Sequence, residues 1–424
     1  MWRKWWYGWQ LKQALKSNKL ARADYYLQQL DDCSQQLPLL AKIYKQKLAA
    51  EQKIAEYQSK NVRLISSLQH SQDKFYSPDY NFIEQVRKKF ELKECNEYLY
   101  RVTGIDDELF NHLELALAEF VEVEIAKARS HFSPEVADTK LKEAVEDLSG
   151  LKQGIDPSYD LLFSPHVYFL RYFVENIYAN YLAWFLVYQS GLLPRELKLL
   201  DIAAGSGTTV YGLALLAISA RKHRFLPLHI CYYSLEKQDK LQYRGLQFWR
   251  SYMESLAAPV NAYFRFNTLD IFDYESYRNK LPGQFFNFIV ISHCLFYGLA
   301  EREASLKIYR DIFARSLASN GSVMLIIQVR KLFNLYNGSP SEDIAEEKNA
   351  IALLMEDLGL ELQWYRYLSS TGKRVPIERE FARYARDNLP QQSHIGKLQQ
   401  KYFNLSYISS YVVDDYVILA KKLG

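Results

Sequence analysis

The chain is poor in the features that mark several protein classes. Its 424 residues hold four cysteines, Cys33, Cys95, Cys231 and Cys294, far apart and without a CxxC pair. That excludes a zinc ribbon, an iron–sulfur cluster and a disulfide framework, and it fits a reducing compartment; no metal site is expected. An excess of one charge is also missing. Lys and Arg number 53 against 49 Asp and Glu, a net of +4, which predicts no partner by itself. The opening "MWRKWWYGWQLKQ" has no apolar run of secretory-signal length. The longest apolar stretch is "VYFLRYFVENIYANYLAWFLVY" (167–188), and Arg171, Glu175, Asn176 and Asn180 interrupt it. A buried helix is therefore expected there rather than a membrane span, with Arg171 and Glu175 paired at i,i+4.

What is present is unevenly distributed. Residues 1–60 carry eleven Lys/Arg against five Asp/Glu, and the other residues carry 42 against 44, so the basicity is N-terminal. "LKQALKSNKLARADYYLQQL" and "LPLLAKIYKQKLAAEQKIAEY" have helical spacing and predict a helical hairpin over 1–60. Trp2, Trp5, Trp6 and Trp9 stand among Arg3 and Lys4, a mixture suited to a membrane surface or to a protein partner. A polar linker (61–80) and a helical domain (81–194) follow. In the latter, "DDELFNHLELALAEFVEVEIAKARSHF" has a 3.6-residue apolar period with Asp106 or Asp107 as cap. No strand is predicted before residue 190.

From 195 the text changes to strands alternating with helices: "LKLLDIA", "LHICYYSLE" (228–236), "YFRFNTLD" (263–270), "FFNFIVISH" (285–293) and "GSVMLIIQV" (321–329). A helix with Ser339 and Glu342 at capping-box spacing leads to "LELQWYRYL" (360–368) and "DDYVILAKK" (414–422). The expectation is an α/β domain over 195–424, with a seven-stranded, mostly parallel Rossmann-like sheet whose last strand is antiparallel. A large all-α region precedes it. The insertion 369–410 is far longer than a hairpin needs. Within it Arg379, Arg383 and Arg386 fall at i, i+4 and i+7, a basic stripe suited to an acidic partner.

Ligands of an open parallel sheet bind outside the carboxyl ends of its strands. Here the first strand ends in Asp201, followed by Ala203, Ala204, Gly205, Ser206, Gly207 and Thr208. Gly205 and Gly207 allow a tight turn and close backbone approach. The next three strands end at Glu236, Asp270 and Ser292–His293. Glu236 is placed to accept two ribose hydroxyls and Asp270 an exocyclic purine amine, with Ile271 as an apolar wall. A dinucleotide fingerprint is incomplete, since Val210 stands where the third glycine belongs. Asp201 would also repel a pyrophosphate, whereas a cofactor with an α-amino group and a sulfonium would accept it.

"LLDIAAGSGTT", "SLE", "TLDIFD" and "FIVISHCLFY", in that order, resemble the motifs of class I S-adenosylmethionine-dependent methyltransferases, over about 195–422. Ala203 stands where the family pattern has its first glycine. The resemblance implies S-adenosyl-L-methionine as cofactor. Asp201, Ala203, Gly205, Gly207 and Thr208 would hold its methionine part, Glu236 the ribose, and Asp270 with Ile271 the adenine. Ser292 and His293 would border the methyl position, with His293 as candidate general base and Tyr297 as a shaper of the acceptor pocket. The function implied is methyl transfer to an unidentified acceptor in the cytoplasm or at a membrane surface. The alternative is a non-catalytic assembly protein that keeps the fold and the cofactor.

Overall fold

Nine strands, rather than seven, make up the sheet. The computed structural model describes residues 6, 7, 9–11, 26, 29 and 74–424, apart from 97, 152–156, 224, 226, 257, 297, 378, 379 and 424. Residues 1–73 and 74–424 are separate units. The hairpin expected over 1–60, with Trp2 and Trp5, and most of the linker lie outside the described residues. Of the first unit, Trp6 meets the Tyr26 ring edge-on at 6.2 Å, and Trp9 is exposed.

The second unit begins with α1 (Tyr80–Lys89), then β1 (Lys93–Asn96) and β2 (Leu99–Arg101). These two strands lie inside the region predicted to be wholly helical. They are short, and every side chain of β1 is exposed, so neither shows a readable apolar alternation. Helices α2 (Asp107–Arg129) and α3 (Pro134–Ser149) follow. Asp106 caps α2 by accepting the Leu109 amide. Next come α4 (Ser164–Tyr168), a π-helical turn (Phe169–Phe173) and α5 (Val174–Gln189). Residues 177–188 are all buried, and no described helix is long and apolar enough to cross a membrane. Arg171 lies within the π turn, where i→i+5 winding breaks the i,i+4 spacing on which its expected pairing with Glu175 rested. Arg171 stacks on the Tyr172 ring instead.

The α/β portion runs β3 (Glu196–Ile202), α6 (Thr208–Ala220), β4 (Leu228–Glu236), α7 (Asp239–Tyr252), β5 (Val260–Thr268), β6 (Phe286–Ser292), α8 (Leu299–Ser316) and β7 (Leu317–Gln328). It continues with α9 (Val329–Asn334), α10 (Ile344–Leu358), β8 (Leu360–Ser369), α11 (Phe381–Asn388), α12 (Ser393–Phe403) and β9 (Asp414–Lys422). The cap of α10 is Asp343, which accepts the Ala345 amide, rather than the predicted Ser339.

The strand order is β1-β2-β8-β9-β7-β6-β3-β4-β5. Strands β3 to β7 are mutually parallel, and β9 inserts antiparallel between β7 and β8. The reversed last strand is as expected; β2 then extends the sheet by pairing parallel to β8. Each face of the sheet carries its own apolar core, one including α5, α6 and α7 and the other α8 and α10. Helix α6 is apolar on all sides, and Leu213, Ala214, Leu215, Leu216 and Ala217 are all fully buried, as such a helix requires. Thus the segments on both sides of residue 195 share one core.

The insertion is folded back rather than free. Glu114 of α2, almost fully buried, accepts the His394 and Ile395 amides at the start of α12. Gln399 donates to the Leu170 carbonyl in the π turn. On α11, Arg383 faces Glu380 at 3.6 Å and Arg386 faces Asp387 at 2.9 Å, while Arg379 lies outside the described residues. At the insertion's start Arg374 pairs with the fully buried Glu347, which also accepts the Tyr365 and Tyr416 hydroxyls at 2.9 and 2.8 Å. Removing one partner of a buried pair strands the other charge, at about 3–5 kcal/mol. Arg374→Ala is therefore expected to lower the unfolding free energy by about that amount, read by urea denaturation; a change below about 1 kcal/mol would show that the pair behaves as a solvated one.

Candidate functional site

The chain leaves β3 through three left-handed residues, Ala203 at φ 54°, Gly205 at 55° and Gly207 at 81°. Ala203 holds this conformation with a Cβ, which costs about 1–2 kcal/mol. The turn is fixed from both sides. Glu236, at the end of β4, accepts the Gly205 amide on Oε2 at 2.7 Å and the Gln238 amide on Oε1 at 2.8 Å. From α7, Gly245 packs so closely that a Cβ there would stand 2.2 Å from the Ser206 carbonyl oxygen.

A cavity of about 600 Å³ opens over this turn at the carboxyl ends of β3, β4 and β6, a volume suited to a small cofactor. Of the residues singled out in the sequence, Ala203, Gly205, Glu236, Asp270, Ile271, Ser292 and His293 line it together. Asp201, Gly207 and Thr208 do not line it and are buried, and Tyr297 lies outside the described residues. Asp201 is 1% exposed. Its Oδ2 accepts the Tyr232 hydroxyl at 2.7 Å, and its Oδ1 is buried with no hydrogen-bond partner. Burial pushes this carboxyl up to about 7, against the pull of the Tyr232 and Thr209 hydroxyls and with help from the Glu236 charge. Burial likewise raises Glu236, opposed by the amides it binds.

Asp270 turns one oxygen to the Phe272 amide at 3.1 Å and the other to Lys237 Nζ at 3.0 Å. Ser292 Oγ receives Asn180 Nδ2 at 3.2 Å. His293, at φ 59°, has Nδ1 3.2 Å from Ser292 Oγ and Nε2 3.1 Å from Asp415 Oδ1, so both ring nitrogens are engaged.

Sequence reasoning missed the opposite wall. Tyr168, Tyr172, Glu175 and Asn176 reach the cavity from the α4–α5 segment. The Tyr168 hydroxyl receives Asn176 Nδ2 at 3.0 Å and lies 3.5 Å from the point a Gly205 Cβ would occupy. Burial pushes that phenol up to about 12, so it stays neutral and able to donate. The available signal was the set of polar residues interrupting an apolar run. The carboxylates Asp160, Glu175, Glu236, Asp270 and Glu301 line the cavity with only two lysines, Lys237 and Lys331. Among the described residues, no group of His, Cys, Asp and Glu is arranged to hold a metal ion.

No family model and no curated protein matches the sequence. Solved structures do resemble the fold. A SAM-dependent methyltransferase from Methanosarcina mazei is 14% identical, with a TM-score of 0.32 over 55% of this chain and 94% of that one. A TehB-like SAM-dependent methyltransferase from Corynebacterium glutamicum is 12% identical, with 0.27 over 58% and 88%. A geranyl diphosphate methyltransferase, solved in complex with GPP and sinefungin, is 13% identical, with 0.31 over 57% and 77%.

Two outcomes follow from this geometry. Gly245→Ala must displace the Ser206 carbonyl, an overpacking that costs about 1–3 kcal/mol; thermal denaturation with an unchanged midpoint would refute the contact. Asp201 has a folded-state value near 7 against about 3.9 for a free side chain. The folded protein therefore keeps a proton that the unfolded chain releases, and stability falls as pH rises from about 4 to 7. Asp201→Asn should flatten that decline, measured as urea midpoints for both proteins across the range.

Proposed function

We propose that the chain binds S-adenosyl-L-methionine in the 600 Å³ cavity and transfers its methyl group to an acceptor. The observation that carries this reading is Asp201. It is a buried carboxyl with an orphaned oxygen, and among the described residues neither a Lys nor an Arg compensates it or Glu236. A buried acid without a cation is costly, and a ligand bringing an ammonium and a sulfonium would relieve it. The predominance of carboxylates on the walls disfavours a pyrophosphate for the same reason.

Asp201 and Thr208 would act from below the turn, with Ala203, Gly205 and Gly207 giving the methionine part close backbone approach. Glu236 spends one lone pair of each oxygen on an amide, and the remaining pairs suffice for two ribose hydroxyls. Asp270 would take the adenine amine, beside Ile271. When bound, the cofactor supplies a methyl group activated by a positively charged sulfur. The protein's part is alignment of the acceptor with it, which can account for most of the acceleration. His293, held from both sides, serves to position groups at that end of the cavity. The engagement of both its nitrogens is also what favours the alternative of a non-catalytic, cofactor-keeping protein.

Calorimetric titration should show S-adenosylmethionine and its demethylated product binding to the wild type. Asp201→Ala and Glu236→Ala should each weaken both at least tenfold, and binding should release protons as Asp201 ionises. Binding of NAD in their place would end this reading. Transfer of a tritiated methyl group into a component of cell extract, dependent on intact protein, separates catalysis from the alternative.

A further inference from the structure

The amino-acid end of S-adenosylmethionine carries an ammonium and a carboxylate on one carbon, so both must be accommodated beside the Gly205 turn. The acids of the strand ends suit the ammonium. The carboxylate needs donors, and three amides of the turn are already committed. Glu236 takes the Gly205 amide, the Leu235 carbonyl takes the Ala204 amide at 3.2 Å, and the Ala204 carbonyl takes the Gly207 amide at 2.8 Å. Of the two lysines on the cavity wall, Lys237 holds Asp270, and Lys331 donates to the His293 carbonyl at 3.1 Å.

The helical wall supplies a donor. Tyr168, the last residue of α4, is 7% exposed, and that exposed part lines the cavity beside Gly205. Its oxygen receives Asn176 Nδ2 at 3.0 Å. Asn176 and Ser206 both act on the phenol against the effect of burial. That is the sense of groups that donate to its oxygen, not of groups that accept its proton. Among the described residues no hydrogen bond takes that proton. A buried hydroxyl in this condition is costly, and an anionic acceptor in the cavity would relieve it. The Glu236 and Asp201 charges both raise the phenol, so its hydroxyl lies within the field of the acids that suit the ammonium.

We propose that Tyr168 recognises the carboxylate of the cofactor's amino-acid part by donating its phenolic hydrogen bond to it; this rests on the S-adenosylmethionine reading above. The ammonium then turns to the strand ends and the carboxylate to the helical wall, so the two halves of the zwitterion are held by different parts of the chain. Asn176 is a positioning residue: by filling a lone pair of the phenol oxygen it leaves the O–H to point elsewhere. No proton is transferred. The cavity thereby distinguishes an amino-acid thioether from a nucleoside thioether that lacks the carboxylate.

The test is calorimetric titration of the full chain with S-adenosylhomocysteine and with its decarboxylated analogue, which keeps the adenosine, the sulfur and the ammonium. The wild type should bind S-adenosylhomocysteine at least tenfold tighter than the analogue. Tyr168→Phe should reduce that preference at least fivefold while affinity for the analogue stays within threefold, a split that a merely structural role of the ring would not produce. Should Tyr168→Phe fail to fold, a fluorotyrosine at position 168 gives a second readout. Its fluorine resonance should move at least twice as far with S-adenosylhomocysteine as with the analogue. A wild type without the preference, equal weakening of both ligands by Tyr168→Phe, or equal fluorine shifts overturns the assignment of Tyr168. Failure of the wild type to bind either ligand overturns instead the reading beneath it.

Discussion

At the carboxyl edge of the sheet, negative charge has been taken out of water without a compensating cation. Asp201 and Glu236 lie almost fully buried at the ends of adjacent parallel strands, and the effective desolvation penalty is several kcal/mol per ion. Only part of it is offset locally, by the Tyr232 hydroxyl on one and by two backbone amides on the other. Those amide bonds make Glu236 the clasp that holds the Gly205 turn against the neighbouring strand. The same carboxylate therefore shapes the turn and sets the sign of charge that the cavity admits.

The helical portion before residue 195 is a wall of the site rather than an appendage to it. Its aromatic segment packs on the sheet with Trp184 fully buried, donating to the Thr209 carbonyl at 3.0 Å. The π turn offsets the helix just after Tyr168 and before Glu175 and Asn176. Such turns disturb the backbone ladder, and they recur where a helix serves a site. Here the Leu170 carbonyl within the turn is satisfied by Gln399, a residue of the insertion 369–410. The insertion supports that wall, held in place by Glu114.

Much of this was legible in the text of the chain. Strands at 228–236 and 414–422 stand where their apolar character put them, and of the acidic strand ends Glu236 and Asp270 line one cavity while Asp201 does not. What escaped has physical causes. β1 and β2 are too short for a period, and β2, with β1 paired to it, is held by pairing with β8 far along the chain, a long-range condition that local pattern does not carry. The 167–188 helix announced its burial but not that Glu175 and Asn176 face a cavity, because a polar residue in an apolar run reads the same whether it meets a ligand or a buried partner. Position on a strand likewise placed Asp201 at the rim, whereas its carboxyl is buried on the Tyr232 hydroxyl and does not line the cavity. Asp343 won the cap of α10 because it, and not Ser339, directly precedes the first helical residue.

The last strand of the chain lies in the interior of the sheet, between β7 and β8. A ribosome delivers that strand after both of its neighbours, so until it pairs the nascent protein holds a slot between two hydrogen-bonding edges. Unpaired edges of this kind are templates for wrong pairing. The strand that completes the sheet also carries Asp415, which holds His293 Nε2, so until β9 pairs, both the sheet and the His293 end of the cavity stay unfinished.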